Sequence, residues 1–394
     1  MKMKRSLYSW ALYDFANTIF SAVVLTFYFP LYLTALTSRN IHLGLATSGA
    51  MVLAGLFVPW LGALSDRTGK TKGYLVLTTL LCVTLTATLS FFQSIPFLIG
   101  DYLLACFFYQ ASLVFYYALL PLVAERGKVG WTSGLGIALG YLGVLFAVPI
   151  AHLTDIFLGR RFVFATAGIL FLIFSLPLFI WVPERSVKNP SPASFDLFLE
   201  EWKGVLKTLR SLPGHPTLLF FFLGSYFVSE AMNTIIFWLV VYLSRVFHPP
   251  QAAVVGIFLG LNFGAFLWGL LAGFLSDRWG SHQTLLLAVA SLLVTFGALA
   301  LTKDLQTFTL FAFTGGAFGL AGVWTSARKR VMELAPPEAV GEYFGLYNLT
   351  AKISVVGSLI FATLADRFGY QVALMSQTVP SAIGLFFLWR ARGE

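Results

Sequence analysis

The chain has 394 residues, of which 58% are hydrophobic and 11% charged, and its mean hydropathy is +0.81. Soluble domains carry about 25% charged residues, so most of this protein's surface is expected to face lipid rather than water. The net charge of +9 does not indicate nucleic acid, because the basic residues form short runs between apolar stretches. The two cysteines, Cys82 and Cys106, lie in apolar stretches without metal-ligand spacing and are predicted to be packing residues.

Apolar stretches long enough to cross a bilayer recur twelve times in the sequence. A helix needs about 20 apolar residues to cross about 30 Å of hydrocarbon, and helices are expected because lipid offers the backbone no hydrogen-bond partners. The first stretch is too long for a secretory signal and contains Asp14, so we interpret it as a span. The predicted spans are residues 7–36, 43–65, 73–93, 96–121, 131–153, 161–182, 217–245, 252–275, 283–302, 305–327, 340–364 and 370–390.

Positive charge is distributed unevenly between the loops. If both termini face the cytoplasm, 19 Lys and Arg residues lie in cytoplasmic segments and six on the opposite side, as the positive-inside rule favours. We therefore predict a multi-pass protein of the cell (inner) membrane with both termini cytoplasmic. The proline-rich stretch 183–216 contains an amphipathic pattern from Phe195 to Leu212, which predicts a linker helix on the inner membrane surface. Its predicted apolar face comprises Phe195, Phe198, Leu199, Trp202, Leu206 and Leu209.

Three short patterns occur once in each half of the chain, in the same order. They are G-x-L-S-D-R-x-G from Gly62 and from Gly273, 211 positions apart; Asp14-Phe-Ala-Asn17-Thr18 and Glu230-Ala-Met-Asn233-Thr234, 216 apart; and Glu125 and Glu333, 208 apart. Such repetition indicates an internal duplication. We predict an all-α membrane protein whose 12 transmembrane helices form two pseudo-symmetric six-helix bundles, residues 1–182 and 217–394, joined by the linker 183–216. Folds of this duplicated kind place their substrate site at the interface of the halves.

The duplicated loop pattern predicts a cytoplasmic gate. Its glycines permit a tight turn, its aspartate can face a helix N-terminus, and its arginine can pair with a carboxylate. We predict an Arg67–Glu125 pair and an Arg278–Glu333 pair, which would latch the cytoplasmic side in one conformation; the alternative is an ordinary positively charged turn. The predicted gate residues are Gly62, Asp66, Arg67, Gly69, Glu125, Asp277, Arg278 and Glu333.

The loop Gly62-x-x-x-Asp66-Arg67-x-Gly69-Lys70 resembles the signature loop of the major facilitator superfamily. Further segments resemble its vacuole-effluxer branch, whose eukaryotic members are autophagy-related vacuolar amino-acid effluxers. These segments are Trp10-Ala-Leu-Tyr13-Asp14-Phe15-Ala16-Asn17, Gly136-x-x-x-Gly140-Tyr141-Leu-Gly143, and Glu342-Tyr-Phe344-Gly345-Leu-Tyr347-Asn348 with Lys352. The resemblance covers essentially the whole chain and implies the major facilitator fold, a twelve-helix rocker-switch carrier, and export of amino acids. The chain is short for this branch, with small loops.

Three ionisable side chains, those of Asp14, Glu230 and Lys352, fall inside otherwise apolar predicted spans. A charge at the bilayer centre costs at least about 2.5–3.5 kcal/mol on insertion scales, so such residues commonly serve a function. A carboxyl group in a dry cavity can carry a proton between the two sides, and a lysine can pair with it or hold a substrate carboxylate. The alternative is a buried structural ion pair.

Polar neighbours of these charges support a cavity. Asn17 and Asn233 lie one helical turn after Asp14 and Glu230, on the same helix faces. With Asn348, the predicted substrate and proton-coupling residues are Asp14, Asn17, Glu230, Asn233, Asn348 and Lys352. Further candidates are Tyr13, Tyr109, Gln110, Asn262 and Trp324, although each residue of this kind more often joins helices than binds a ligand. Asp101, near the outer end of the fourth span, is expected to have an interfacial role.

Glycines recur in the predicted fifth span. They predict close helix packing, either sliding or static: Gly134, Gly136, Gly140 and Gly143.

Several catalytic and metal-binding patterns are missing from the sequence. The sequence has no G-x-x-x-x-G-K-[ST] pattern, no H-E-x-x-H pattern and no Cys/His cluster. We therefore predict no ATP hydrolysis, no metal and no cofactor. No nucleophile–base pattern stands out, so an enzyme is not predicted.

These observations predict a secondary transporter that moves a small solute by alternating access, driven by a proton or solute gradient. The expected partners are a small-molecule substrate and membrane lipids, without nucleic acid, and the chain is expected to act as a monomer. One alternative is a lipid or drug exporter, which the 40 phenylalanines keep open. Another is a membrane receptor or scaffold that binds a ligand without moving it, but the duplicated gate loops favour a carrier.

Overall fold

The computed structural model describes residues 2–37, 39–92, 94–124, 129–184, 196–335, 340–354 and 357–392. Within these ranges, twelve helices are long and apolar enough to cross a membrane, which confirms the predicted fold class. The spans of the first half are Lys4–Leu36, Ile41–Ser65, Thr71–Thr88, Ile95–Val123, Leu139–Leu158 and Phe162–Trp181. Those of the second half are Pro216–Val246, Gln251–Trp279, Ser281–Leu301, Leu305–Leu334, Gly345–Phe368 and Tyr370–Arg390. The linker helix runs from Asp196 to Ser211.

Residues suited to helix termini set where the spans begin and end. Pro216 opens the seventh span, where the proline's missing N–H costs nothing. Asp304 caps the tenth span by accepting a hydrogen bond from Thr307 N at 2.8 Å, and this bond lowers the pKa of the Asp304 carboxyl. Gly69 and Gly280 close the two repeated loops with φ of +69° and +94°, a left-handed conformation that residues with a Cβ avoid.

The residues divide by contact into two units. One comprises Met1–Thr37 and Gly49–Gly204, and the other comprises Ser38–Ser48 and Val205–Glu394. A corresponding contact occurs in each unit: a Cβ on Gly62 would lie 4.0 Å from Val114 Cγ1, and a Cβ on Gly273 would lie 4.0 Å from Thr325 Cγ2. Both the glycines and their neighbours are 211 positions apart. The repeat seen in the sequence therefore extends to the packing inside each unit.

In the first unit, glycines of the fifth span allow its backbone to approach the first span closely. A Cβ on Gly143 would lie 2.6 Å from the carbonyl oxygen of Phe15, and one on Gly140 would lie 3.0 Å from Thr18 Oγ1. Neither contact leaves room for a side chain, so the predicted role of these glycines in close packing is confirmed. Gly134 lies among the residues whose contacts the structure does not describe.

Two spans contain π-helical segments, in which backbone hydrogen bonds join residues five apart. Residues Phe20–Tyr28 form one in the first span, and Ala312–Gly316 form one in the tenth. Side chains bond carbonyls of the second segment: Ser291 Oγ donates to Gly315 O at 3.0 Å, and Trp268 Nε1 donates to Phe313 O at 2.8 Å. Such segments are frequent at functional sites.

In the second unit, Asp366 holds the start of the second span. The backbone N–H groups of Asn40 and Ile41 donate to its carboxylate at 2.8 and 3.0 Å, and the Asn40 side-chain amide adds a third bond at 2.8 Å. Tyr370 OH in turn donates to Asn40 Oδ1 at 2.6 Å. The carboxylate thus supplies acceptors for the first N–H groups of the helix, which have none within it.

Replacing Asp366 by alanine is expected to destabilise the protein by about 0.5–2 kcal/mol, the usual effect of losing a helix cap. The measurement is the thermal unfolding midpoint in detergent. Asp366→Asn retains one carbonyl acceptor and serves as the matched control, for which a smaller decrease is expected. Equal midpoints for Asp366→Ala and wild type would contradict the capping role.

Candidate functional site

In the first unit, Asp14 lies half-buried on the first span against the fifth. Asn17 Nδ2 donates to Asp14 Oδ1 at 2.9 Å, and Asn17 itself is buried. A Cβ on Gly136 would lie 2.8 Å from Asp14 Oδ2. The predicted proximity of Asp14 and Asn17 is therefore present. Gly136, which lies just before the fifth span in the helix Val129–Leu158, makes room for the carboxylate.

Two aromatic side chains lie close to this carboxylate, since the same Cβ on Gly136 would lie 3.1 Å from the Tyr116 hydroxyl and 3.2 Å from Trp10 Cζ3. The rings of Trp10 and Tyr116 stack with centroids 4.4 Å apart, and Tyr13 stacks on Tyr116 at 5.1 Å. Trp10 Nε1 donates to Tyr116 O at 3.0 Å, and the Tyr13 hydroxyl bonds Thr79 Oγ1 at 2.6 Å. These contacts hold the rings rigidly beside Asp14.

In the second unit, Glu230 of the seventh span packs against the eleventh span. A Cβ on Gly357 would lie 2.7 Å from Glu230 Oε1, so only glycine leaves the carboxyl group its place. Glu230 is half-buried, and among the residues that the structure describes it forms no ion pair. Ionisable side chains inside membrane helices are commonly functional.

Asn233, one turn after Glu230, contacts the same span. Its Nδ2 donates to Ala351 O at 2.8 Å and to Ser354 Oγ at 3.1 Å. Ala351 lies in the last turn of the helix Val340–Ile353, where carbonyl groups lack partners within the helix. Lys352, half-buried, is the next residue along the chain. The structure thus brings Asn233 to the segment that carries Lys352.

Replacing Asn233 by alanine is expected to remove the bond to Ala351 and destabilise the protein by about 0.6–1.7 kcal/mol, the range measured for polar contacts between membrane helices. The thermal unfolding midpoint in detergent measures this. The control is Asn262→Ala, because the Asn262 amide bonds Phe258 O of its own helix at 2.8 Å. If both substitutions lower the midpoint equally, Asn233 has no special role in joining the two spans.

The two halves therefore share one arrangement: a carboxylate on the first span of each half lies against a glycine in or just before the fifth span of that half. Sequence reasoning finds Asp14, Glu230 and Gly136 but misses Gly357. A signal is present, because Gly136 and Gly357 are 221 positions apart, close to the 216 between the two acids. We name Asp14 with Gly136, and Glu230 with Gly357, the carboxylate–glycine pairs.

The first gate loop makes a different ion pair from the predicted one. Arg67 Nη2 bonds Glu200 Oε2 of the linker helix at 2.8 Å. Glu125 and the side chain of Asp66 lie outside the described residues, so the Arg67–Glu125 pair stays a prediction. Glu184, which sequence reasoning missed, accepts hydrogen bonds from the backbone N–H groups of Lys72 and Gly73 at 2.7 and 3.1 Å, and so caps the third span.

In the second loop predicted to form the gate, Glu333 has other partners than the predicted Arg278, so the Arg278–Glu333 pair stays a prediction for another conformation. Glu333 bonds the hydroxyl of Ser281 and Arg330 Nη1 at 3.4 Å. Arg330 precedes Glu333 by one helical turn, so the two side chains are neighbours on one helix face. Asp277 pairs instead with Lys329, at 2.5 Å. Arg67, Asp277 and Glu333 therefore form ion pairs with residues other than those predicted, and the role of the two loops as a gate stays a prediction.

The remaining candidates have varied surroundings. Tyr109 stacks on Phe20 at 4.7 Å, and Gln110 Nε2 lies 3.5 Å from Met51 Sδ. Asp101, buried, accepts a hydrogen bond from Thr88 Oγ1 at 2.8 Å. Asn348 and Trp324 are exposed. Of these side chains, that of Asp101 has a clear structural role, since it joins the third and fourth spans.

Twelve apolar helices among the described residues, with a carboxylate–glycine pair in each half of the chain, are typical of a multi-pass membrane transporter. The family model of the Major Facilitator Superfamily matches residues 13–356. The chain belongs to this superfamily and is a multi-pass membrane transporter.

Relatives from bacteria and fungi support this assignment. An uncharacterised protein of Aquifex aeolicus is 26% identical over 98% of this chain and 96% of its own length. The uncharacterised MFS-type transporter YxiO of Bacillus subtilis is 24% identical over 96% of this chain and 93% of its own. Autophagy-related protein 22 of Gibberella zeae is 25% identical over 60% of this chain and 40% of its own, so the predicted resemblance to that branch is confirmed.

Solved structures show the same fold. The nucleoside transporter NupG superposes with a TM-score of 0.82 at 14% identity, over 98% of this chain and 100% of its own. A bacterial homologue of the human lysosomal transporter Spinster superposes with a TM-score of 0.79 at 15% identity, over 99% of this chain and 97% of its own.

Proposed function

We propose that the chain exports amino acids by alternating access coupled to proton movement. The observation that carries the proposal is the surroundings of Glu230. Its carboxyl group packs on Gly357, and Asn233 on the same helix bonds Ala351, the residue before Lys352. A carboxylate and a lysine are thereby positioned on two adjoining helices.

The chemistry of an amino acid suits these groups. Its ammonium group needs an anionic acceptor, which Glu230 supplies, and its carboxylate needs a cation, which Lys352 supplies. An amide such as that of Asn233 can orient the solute by hydrogen bonds. Glu230 can also take a proton when the solute leaves, because an uncompensated charge within a membrane is costly. Protonation would then favour the return of the empty carrier.

Asp14 is the corresponding group of the first half. Export of amino acids agrees with the resemblance to autophagy-related protein 22. We propose further that both termini are cytoplasmic, on the asymmetry of 19 against six basic residues, that the chain acts as a monomer, and that it has no enzymatic activity.

The test is transport by the purified chain in proteoliposomes. Vesicles are loaded with a mixture of radiolabelled protein amino acids, and efflux is followed with and without an imposed pH gradient. The proposal expects efflux that depends on the protein and that a pH gradient accelerates. Counterflow with unlabelled amino acids distinguishes a carrier from a receptor, because a receptor binds the solute without exchanging it across the membrane.

A second candidate function is the export of organic cations. An acidic side chain inside a span, such as that of Asp14, attracts cations of this kind. A multi-drug resistance efflux pump PmrA homologue of Lactococcus lactis is 22% identical over 95% of this chain and 92% of its own. Efflux of ethidium without efflux of amino acids would favour this candidate over the first.

A further inference from the structure

The linker helix Asp196–Ser211 has one face packed on the first unit. The ring of Phe198 lies 5.6 Å from that of Phe57, and Trp202 Nε1 donates to Leu56 O at 2.9 Å. The apolar face predicted from the sequence is larger than this contact needs. Three of its leucines stay 50%, 45% and 38% exposed: Leu199, Leu206 and Leu209.

Basic side chains run along the exposed face beside these leucines. Lys203, Lys207 and Arg210 are all exposed. At about 100° of rotation per residue, they form one stripe that adjoins Leu199 and Leu206. Glu200, an acidic residue that borders this stripe, pairs with Arg67 at 2.8 Å. The exposed face therefore combines an apolar strip with a strip of basic side chains.

We propose that this exposed face docks on the anionic headgroups of the membrane surface. The leucines enter the boundary between headgroups and acyl chains, while the basic stripe meets lipid phosphates, as in amphipathic helices that lie in a membrane interface. Charge complementarity selects anionic lipid as the partner. Because Glu200 on the same helix bonds Arg67, the docked helix also holds the first gate loop.

Docking predicts a preference for anionic over neutral lipid near the leucines. At about 1 kcal/mol for each basic residue near an anionic surface, the three together are expected to favour anionic over neutral lipid by on the order of a hundredfold. Leu206→Cys provides the position for a fluorescent label on the full-length protein. Cys82 and Cys106 are buried, so they compete little for the label.

The labelled protein is placed in nanodiscs of phosphatidylcholine alone or of equal parts phosphatidylcholine and phosphatidylglycerol. Spin-labelled phosphatidylglycerol should quench the label more strongly than spin-labelled phosphatidylcholine at the same fraction. Removal of the basic stripe, by Lys203→Gln, Lys207→Gln and Arg210→Gln together, should make the two quenchers equal. The control removes three other exposed cations, by Lys4→Gln, Arg5→Gln and Lys303→Gln, and should keep the preference.

A second variant is expected to change the lipid preference in the opposite direction. Glu200→Gln removes the acidic neighbour and should raise the preference for phosphatidylglycerol. The proposal is overturned if the label emits as in water in both nanodiscs, as it would for a face that binds a soluble acidic partner. It is also overturned if the preference survives loss of the basic stripe, or if inorganic phosphate at physiological ionic strength abolishes it, since a free phosphate site would then be present.

Discussion

Replacing Glu230 by glutamine is expected to lower pH-accelerated efflux at least about tenfold, which corresponds to about 1.4 kcal/mol in the activation free energy, while the protein stays folded. Glutamine keeps the size of the side chain beside Gly357 but can neither take up a proton nor neutralise a cationic group. The measurement is the initial rate of amino-acid efflux from proteoliposomes, with and without a pH gradient.

The matched control is Asp101→Asn. Asp101 is also a carboxylate within a span, but it accepts a hydrogen bond from Thr88 and belongs to neither carboxylate–glycine pair. Its replacement should leave the efflux rate within about twofold of wild type, less than 1 kcal/mol. Wild-type efflux by Glu230→Gln, with the same response to pH, would show that Glu230 does not couple proton movement to transport.

Adding one methyl group at Gly357 is the second change with a large expected effect. A Cβ there would lie 2.7 Å from Glu230 Oε1, so Gly357→Ala must displace the carboxyl group. Overpacking of this kind costs about 1–3 kcal/mol, and efflux should fall with stability. The control is Gly260→Ala, because a Cβ on Gly260 meets no neighbouring atom within 4 Å.

A double substitution separates the effect of Gly357→Ala on stability from its effect on efflux. Glu230→Ala removes the atoms that a Cβ on Gly357 would meet, so Gly357→Ala should destabilise this variant far less than it destabilises wild type. Efflux should stay low in the double variant, because the carboxyl group is missing. Additive effects of the two substitutions on the thermal unfolding midpoint would show that Gly357 acts independently of Glu230.

The spans are predictable from the sequence because lipid forces each apolar stretch to satisfy its own backbone. Their ends are less predictable. The third span ends at Thr88 rather than at residue 93, because the apolar residues that follow form a turn, and Phe91 is 75% exposed. The tenth span continues past three basic residues to Leu334, since Lys329 and Arg330 find acceptors there.

The site residues are predictable where a charge interrupts an apolar stretch, as at Asp14 and Glu230. The contacts of these carboxylates are harder to predict, because a carboxylate on one helix can pack against any other helix of the same half. Gly357 is an example. Glycine is common in membrane helices, and this one matters because it leaves space for the carboxyl group of Glu230, which the sequence does not reveal. The proximity of Asn233 to Ala351 likewise depends on how two helices pack, which no local pattern specifies.

The gate loops show a limit of motif reasoning. Both copies contain the predicted Asp-Arg pair, but Arg67 bonds the linker helix and Asp277 bonds Lys329. Exposed side chains of opposite charge exchange partners at little cost, since such a pair contributes only about 0–1 kcal/mol. A motif therefore predicts that the loop is charged and tightly turned, while its partners depend on whatever lies nearby.

The π-helical segment Phe20–Tyr28 has a consequence for how the first span tolerates changes in length. A π turn carries more residues than an α turn, so a π segment can lose one residue by reverting to α geometry. The residues beyond it then keep their orientation, whereas a deletion elsewhere in the span rotates everything that follows by about 100°. A homologue that lacks one residue between Phe20 and Tyr28 can therefore keep both Asp14 and the C-terminal end of this span on their present helix faces.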